Sequence, residues 1–318
     1  MLTITKQPTL NAAGGGEAEY RIETDRKETL NVKVTDAETN ALLGTKRYAE
    51  VTEATVDAAP IVNRHLHFAP ETGPTGFLPA KDRRHEVKVK VETADATATS
   101  GTCVYHAGEK ALTASGLLTT MPLQRLIAPG ECDEVTMLTI DTPWMTVRAA
   151  GPGGTKERNY STRNTVVQVF RLNTADFPGA ERITLTTGEG QTVEYTVIAS
   201  PKGARRIAWR SRAGSLEHYT FPTEAVSVAE TKKTRVRNAQ GTGTLTEERR
   251  RRTLLRSAYE TREVLEALAE IIAAPQVWLA EADGYVPVEV LTNEATVHRH
   301  GTMSLLELEI GTELWKRN

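Results

Sequence analysis

The stretch from Arg205 to Phe221 constrains this chain most. Ile207 and Trp209 alternate with Arg206, Ala208 and Arg210, which puts an apolar face and a cationic face on opposite sides of one strand. Ser211 to Ser215 supplies a turn, with Gly214 available for a left-handed position. The chain returns through Glu217-His218-Tyr219-Thr220-Phe221, where Tyr219 and Phe221 share a face and Pro222 stops the ladder. Three large aromatic rings thus fall in one hairpin of a chain that is only 5% aromatic. Aromatic side chains dominate core energetics, so Trp209, Tyr219 and Phe221 are expected to anchor the core of the C-terminal third.

The same period of two recurs along the chain. Leu30-Asn31-Val32-Lys33-Val34 and Val87-Lys88-Val89-Lys90-Val91 alternate strictly, and His65-Leu66-His67-Phe68 reads as a further strand. Val135 to Ile140, Trp144 to Val147, Val166 to Phe170, Arg182 to Leu185 and Val193 to Val197 repeat the style at short spacing. Residues 69–79, with three prolines and two glycines, read as a loop, as does the glycine-rich run from Ala150 to Arg158. The period changes once. Val264, Leu265, Leu268, Ile271 and Ile272 fall at helical spacing, which predicts a helix from Ser257 to Ala273 with Ser257 and Glu260 as a capping box and Pro275 as the stop. Leu265, Leu268 and, in the strand that follows, Trp278 join the expected core. The fold class is therefore mainly β: tandem β-sandwich or barrel domains with one substantial α-helix near the C-terminus. The divisions expected are 1–108, 109–200 and 201–318, the last carrying a long hairpin arm and the helix.

Composition narrows the classes of function. At 318 residues, 39% hydrophobic and 25% charged, the chain has enough apolar material for more than one core. A net charge of −2 gives no general field for nucleic acid or acidic lipid. Two cysteines are too few for a disulfide-stapled scaffold, and a bridge between Cys103 and Cys132 stays open. No apolar run approaches the roughly 20 residues that span a bilayer, and the first residues lack the pattern of a signal peptide.

Catalytic and ligand motifs are weak. His65 and His67 would share a strand face, as would His298 and His300, but a zinc site needs further converging ligands, and half-exposed strand histidines are the plainer reading. Neither cysteine sits in a nucleophile motif, there is no Gly-x-Ser-x-Gly elbow, and the glycine clusters lack the Lys-Ser/Thr of a phosphate loop. No catalytic residue, cofactor or metal is assigned, and the chain reads as a non-enzyme.

Cations gather in one place instead. Lys232, Lys233, Arg235 and Arg237 lead to a Gly241-Thr242-Gly243 tip, and Arg249, Arg250, Arg251 and Arg252 come back from it. This reads as a two-stranded arm with few apolar residues. In a strand only alternate arginines share a face, and no aromatics are interleaved for base stacking, so a protein partner fits better than nucleic acid. Assembly through this arm is the expectation.

The order of features from residue 166 onward adds a resemblance. A strand-rich half leads to Ala208-Trp209-Arg210-Ser211-Arg212-Ala213-Gly214 and Tyr219-Thr220-Phe221, then a helix, Ala273-Ala274-Pro275-Gln276-Val277-Trp278-Leu279, and Val286-Pro287-Val288-Glu289-Val290. This resembles tail structural proteins of phages and prophages from gut Bacteroidetes, and more loosely the distal tail or baseplate-hub proteins of long-tailed phages. The resemblance implies a virion component that forms a ring with its own copies, hexameric in the family, and joins other tail and baseplate proteins. From charge and the lack of a spanning segment, no nucleic-acid or membrane partner is expected. A carbohydrate-binding or adhesive β-sandwich is the alternative, with Trp144, Trp278 or Tyr285 as the aromatic platform.

Overall fold

The computed structural model describes residues 1–8, 11–13, 18–79, 83–109, 115–139, 144–162, 166–239, 241–297 and 304–317. Strand accounts for 61% of the chain and helix for 8%, and the one helix longer than a turn or two lies near the C-terminus. The mainly β expectation therefore holds.

The N-terminal sheet comprises β1 (Leu2–Lys6), β2 (Asn11–Ala13), β3 (Glu19–Asp36), β4 (Leu42–Asp57), β6 (Arg84–Glu92), β7 (Thr97–Thr99) and β8 (Cys103–His106). Its path runs β1-β3-β6-β8-β2, with β4 paired along β3 and β7 along β6. Val32, Val34, Val87, Val89 and Val91 are fully buried, as the alternation requires. Two local readings change here. Residues 65–68 are not a strand: Pro60 opens the short helix α1 (Ala59–Asn63), whose first turn tolerates a missing N–H, and His65 follows in a turn. Residues 69–79 are not all loop. Gly76–Leu78 forms β5, which pairs not with the N-terminal sheet but with a strand of the next body.

That next body is a sandwich. One sheet joins β5, β9 (Gly116–Leu118), β11 (Cys132–Thr139) and β14 (Val166–Asn173) in the order β5-β14-β11-β9. The other joins β10 (Gln124–Ile127), β12 (Trp144–Gly151), β13 (Gly154–Ser161), β15 (Arg182–Thr187) and β16 (Thr192–Val197) in the order β10-β16-β15-β12-β13. Val135, Met137 and Phe170 face Met145, Val147, Leu185 and Tyr195 across the core. The run from Ala150 to Arg158 is a tight β12–β13 hairpin, closed at Gly151 and Gly154, rather than an unstructured loop.

The C-terminal part holds two sheets. β17 (Arg205–Arg210), β18 (Leu216–Phe221), β21 (Val277–Glu281) and β22 (Gly284–Pro287) are ordered β18-β17-β21-β22. β19 (Thr223–Asn238), β20 (Gly241–Arg256), β23 (Glu289–Val290) and β24 (Glu307–Arg317) are ordered β19-β20-β24-β23. The hairpin forms as the sequence predicts, Trp209 opposite Glu217 and Ile207 opposite Tyr219. Gly214 takes φ +85° at its turn, and a Cβ there would meet the Gly108 backbone nitrogen at 2.4 Å, so only glycine fits.

The helix is α2 (Arg262–Ala273), shorter than predicted, and its stripe of Leu265, Leu268 and Ile271 is buried. The expected capping box does not form. Ser257 is spent on Leu306, just before β24: its backbone N–H donates to the Leu306 carbonyl at 2.9 Å, and its hydroxyl accepts the Leu306 N–H at 2.8 Å. Glu260 bridges to Ser304 and accepts the Tyr219 hydroxyl at 2.7 Å. Both residues are spent on tertiary bonds, so the helix starts only at Arg262, with Thr261 before it.

Candidate assembly arm and the buried junction behind it

The arm is real but is built differently from the two-stranded reading. β19 and β20 pair from Thr223↔Arg256 to Asn238↔Gly241, and β24 adds a third strand along β20 from Glu247↔Arg317 to Arg256↔Glu307. Only the tip, beyond Glu247, is two-stranded. The sequence hides this because the third strand arrives from more than 50 residues away, a separation no local pattern reports.

Its base belongs to the core. Leu255, Leu308 and Ile310 are buried with Trp209, Phe221, Leu265 and Leu268 in one cluster, and Tyr219 packs against it. Farther out every predicted cation is exposed: Lys232, Lys233, Arg235 and Arg237 on β19 and Arg249 to Arg252 on β20. Register puts Arg250 and Arg252 opposite Glu230 and Val228, while Arg249 and Arg251 lie opposite Thr231 and Ala229. The first pair is laced to acids: Arg250 to Glu289 at 3.0 Å, Arg252 to Glu309 at 3.6 Å and to Glu230 at 3.7 Å. Exposed pairs of this kind contribute about 0–1 kcal/mol each, so they orient the arm more than they hold it.

The hairpin's cationic face is a different matter. Arg206 and Arg210 are buried, and so is Ala208 between them. Arg210 donates to Asn63 Oδ1 at 2.6 Å and to the Leu66 and Ala107 carbonyls, which ties the hairpin to the N-terminal body. Burial pulls its guanidinium down from the usual arginine range. Arg206 donates to the Cys132 carbonyl at 3.1 Å and to Glu131 at 3.1 Å, which ties the same hairpin to the sandwich.

Around these lies a charged network that sequence reasoning missed. Asp133 on β11 lies 2.8 Å from His218 Nδ1, 3.4 Å from Arg125 and 3.9 Å from Arg206, with its side chain 2% exposed. His218 Nε2 contacts the Tyr285 hydroxyl at 3.0 Å. Arg125 on β10 pairs also with Glu217 on β18 at 3.1 Å, while Glu217 accepts the Ser215 and Thr119 hydroxyls at 2.6 Å each. Next to it Glu134 holds Arg83 at 2.6 Å, with Arg171 at 3.9 Å. Burial by itself would raise the Asp133 carboxyl. The His218 contact and the two guanidinium groups outweigh it and hold the carboxyl well below the usual carboxylate range. Burial also raises the phenols of Tyr195 and Tyr285. These partners are scattered over three sheets, and periodicity cannot pair Arg125 with Glu217. The available signal was the oddity of Asp133-Glu134 opening an otherwise apolar strand.

Other candidates find plain places. His65 bonds the Leu43 carbonyl through Nε2 at 3.0 Å, whereas His67 is exposed. His298 and His300 lie outside the described residues. Among the described residues no group of three or more His, Cys, Asp or Glu side chains could hold a metal ion. No disulfide joins Cys103 and Cys132. Trp278 is buried, though in the N-terminal core with Ala208 and Leu216 rather than beside the helix. Of the three aromatic platforms considered, Trp144 is 43% exposed. No helix among the described residues is long and apolar enough to cross a membrane.

No protein-family model and no curated protein matches the chain. Among solved structures it is similar to Dpr2 Ig1-Ig2, crystallised in complex with DIP-Theta Ig1-Ig3, at 10% identity over 63% of this chain and 99% of that one, with a TM-score of 0.18. It is also similar to the FN1-FN3 domains of chicken CNTN1, at 11% identity over 59% of this chain and 62% of that one, with a TM-score of 0.17.

Proposed function

We propose that this chain is a non-enzymatic structural protein of a phage tail, of the distal-tail or baseplate-ring type. It acts by assembling with its own copies and with neighbouring tail proteins. The observation that carries this reading is the arm: a three-stranded ribbon rooted in the core at Leu255, Leu308 and Ile310, with Val226 to Arg237 of β19 and Arg249 to Arg252 of β20 exposed and rich in cations. A long exposed ribbon is a poor investment for a monomer and a ready surface for partners. The resemblance from residue 166 onward points to the same class. Rings follow when such a contact is head-to-tail and its rotation closes. Electron microscopy of the purified protein, alone and with tail components expressed beside it, tests this. Rings or their stacks are expected, and a chain that stays solitary in both settings overturns the reading.

A glycan-binding adhesin is a second reading, favoured by Trp144. Its indole lies against Gly188, where a Cβ would come within 2.9 Å of Nε1. An aromatic ring seated on glycine with its outer side open suits a sugar face. Binding of oligosaccharides that is lost in Trp144→Ala would favour this class over the tail.

A further inference from the structure

β19 is the outermost strand of its sheet: β20 pairs along one side, and no strand among the described residues pairs along the other. Every residue from Val226 to Arg237 is exposed. At about 3.3 Å per residue this is roughly 40 Å of unpaired edge, a template for strand addition. The irregularity near the tip lies on β20, where Thr234 and Arg235 pair with Thr246 and Thr244, so the alternation of β19 is unbroken over this length. One face carries Val226, Val228, Glu230, Lys232, Thr234 and Val236; the other carries Ser227, Ala229, Thr231, Lys233, Arg235 and Arg237.

We propose that the edge is docked by a second copy of this chain, β19 antiparallel to β19 about a two-fold axis at Thr231. In that register Glu230 faces Lys232 of the other copy, and the pair occurs twice. Val226 faces Val236, also twice, and Val228 faces Thr234. On the opposite face Ala229 lies across from Lys233, and Ser227 across from Arg235, so long cations stand over small residues. Moving the axis by one residue puts Glu230 against Glu230 or Lys232 against Lys232. Directly opposed like charges destabilise a strand pair, whereas crossed opposite charges and apolar pairs stabilise it. The charges of the edge therefore favour the axis at Thr231 over its two neighbours. Such a contact is isologous and closes at two, because it consumes both β19 edges. It goes beyond the ring reading and does not rest on it, since a ring needs a head-to-tail contact.

The test is charge exchange, read by sedimentation and light scattering of the full chain over a range of concentration. Wild type is expected to form dimers. Glu230→Lys and Lys232→Glu each turn both crossed pairs repulsive, and each should weaken association by at least about ten-fold. Mixing the two variants one to one restores two Lys–Glu pairs across the axis, so the mixture should regain the dimer that neither component forms. Thr231→Cys should close a disulfide-linked dimer under mild oxidation, because it faces its own copy. Circular dichroism of each variant separates loss of pairing from loss of folding, and recovery of the dimer in the mixture requires both chains to be folded. A monomeric wild type at every concentration overturns the proposal. So does a dimer that survives both charge variants, or a mixture that associates no better than its parts.

Discussion

At the scale of single residues, the most informative side chain is Asp133. It is buried against His218, Arg125 and Arg206, groups from three strands that belong to two bodies of the fold. Removing one member of a buried ion cluster leaves the others uncompensated, at a cost of about 3–5 kcal/mol. Asp133→Asn is therefore expected to lower the urea midpoint markedly while keeping the side chain's shape. The pH dependence has a definite sign. A carboxyl whose folded value is depressed gives its full stabilisation above the unfolded value, near 3.9, and loses it as pH falls below that. Wild type should thus lose stability below about pH 4 more steeply than Asp133→Asn does. Parallel pH profiles for the two proteins would show that the charge of Asp133 is not what the junction uses.

At the scale of elements, legibility followed distance along the chain. The hairpin of β17 and β18 could be read because its alternation, turn glycine and aromatics are all local, and Trp209 lies wholly inside. The apolar stripe of α2 was equally plain, but its start was not, because Ser257 and Glu260 bond to residues 304 and 306 instead of capping the helix. In the arm the exposed cations were visible, whereas the strand β24 beside them was assigned to the sheet only by its register. That register predicts unequal roles along β20. Leu255, fully buried at the root, should cost about 2–5 kcal/mol on truncation to alanine. Arg252, half exposed farther out, should cost no more than about 1 kcal/mol as serine. Thermal or urea melts of the two single variants decide whether the arm is rooted where the packing places it; equal losses would contradict the division.

At the scale of the whole molecule, the sheet of β17, β18, β21 and β22 works as a septum. Ala208, Leu216 and Trp278 pack into the N-terminal core from one face, while Ile207, Trp209, Phe221 and Val277 pack against α2 and the arm's root from the other. Arg206 and Arg210 then fasten this sheet to the sandwich and to the N-terminal body. The outer arm, exposed from Val226 to Arg237 and from Arg249 to Arg252, lies outside that packing. Replacing Arg249, Arg250, Arg251 and Arg252 together with serine should consequently leave the chain folded, since all four residues are exposed and exposed ion pairs contribute little. If partners are recognised through that cationic surface, desolvated pairs worth about 2–5 kcal/mol each disappear with it. Sedimentation should then show the variant unable to enter rings or tail complexes, while pairing along β19, which uses none of the four arginines, survives. A variant that assembles like wild type would remove the four arginines from the assembly mechanism, and one that unfolds would show that they hold the fold itself.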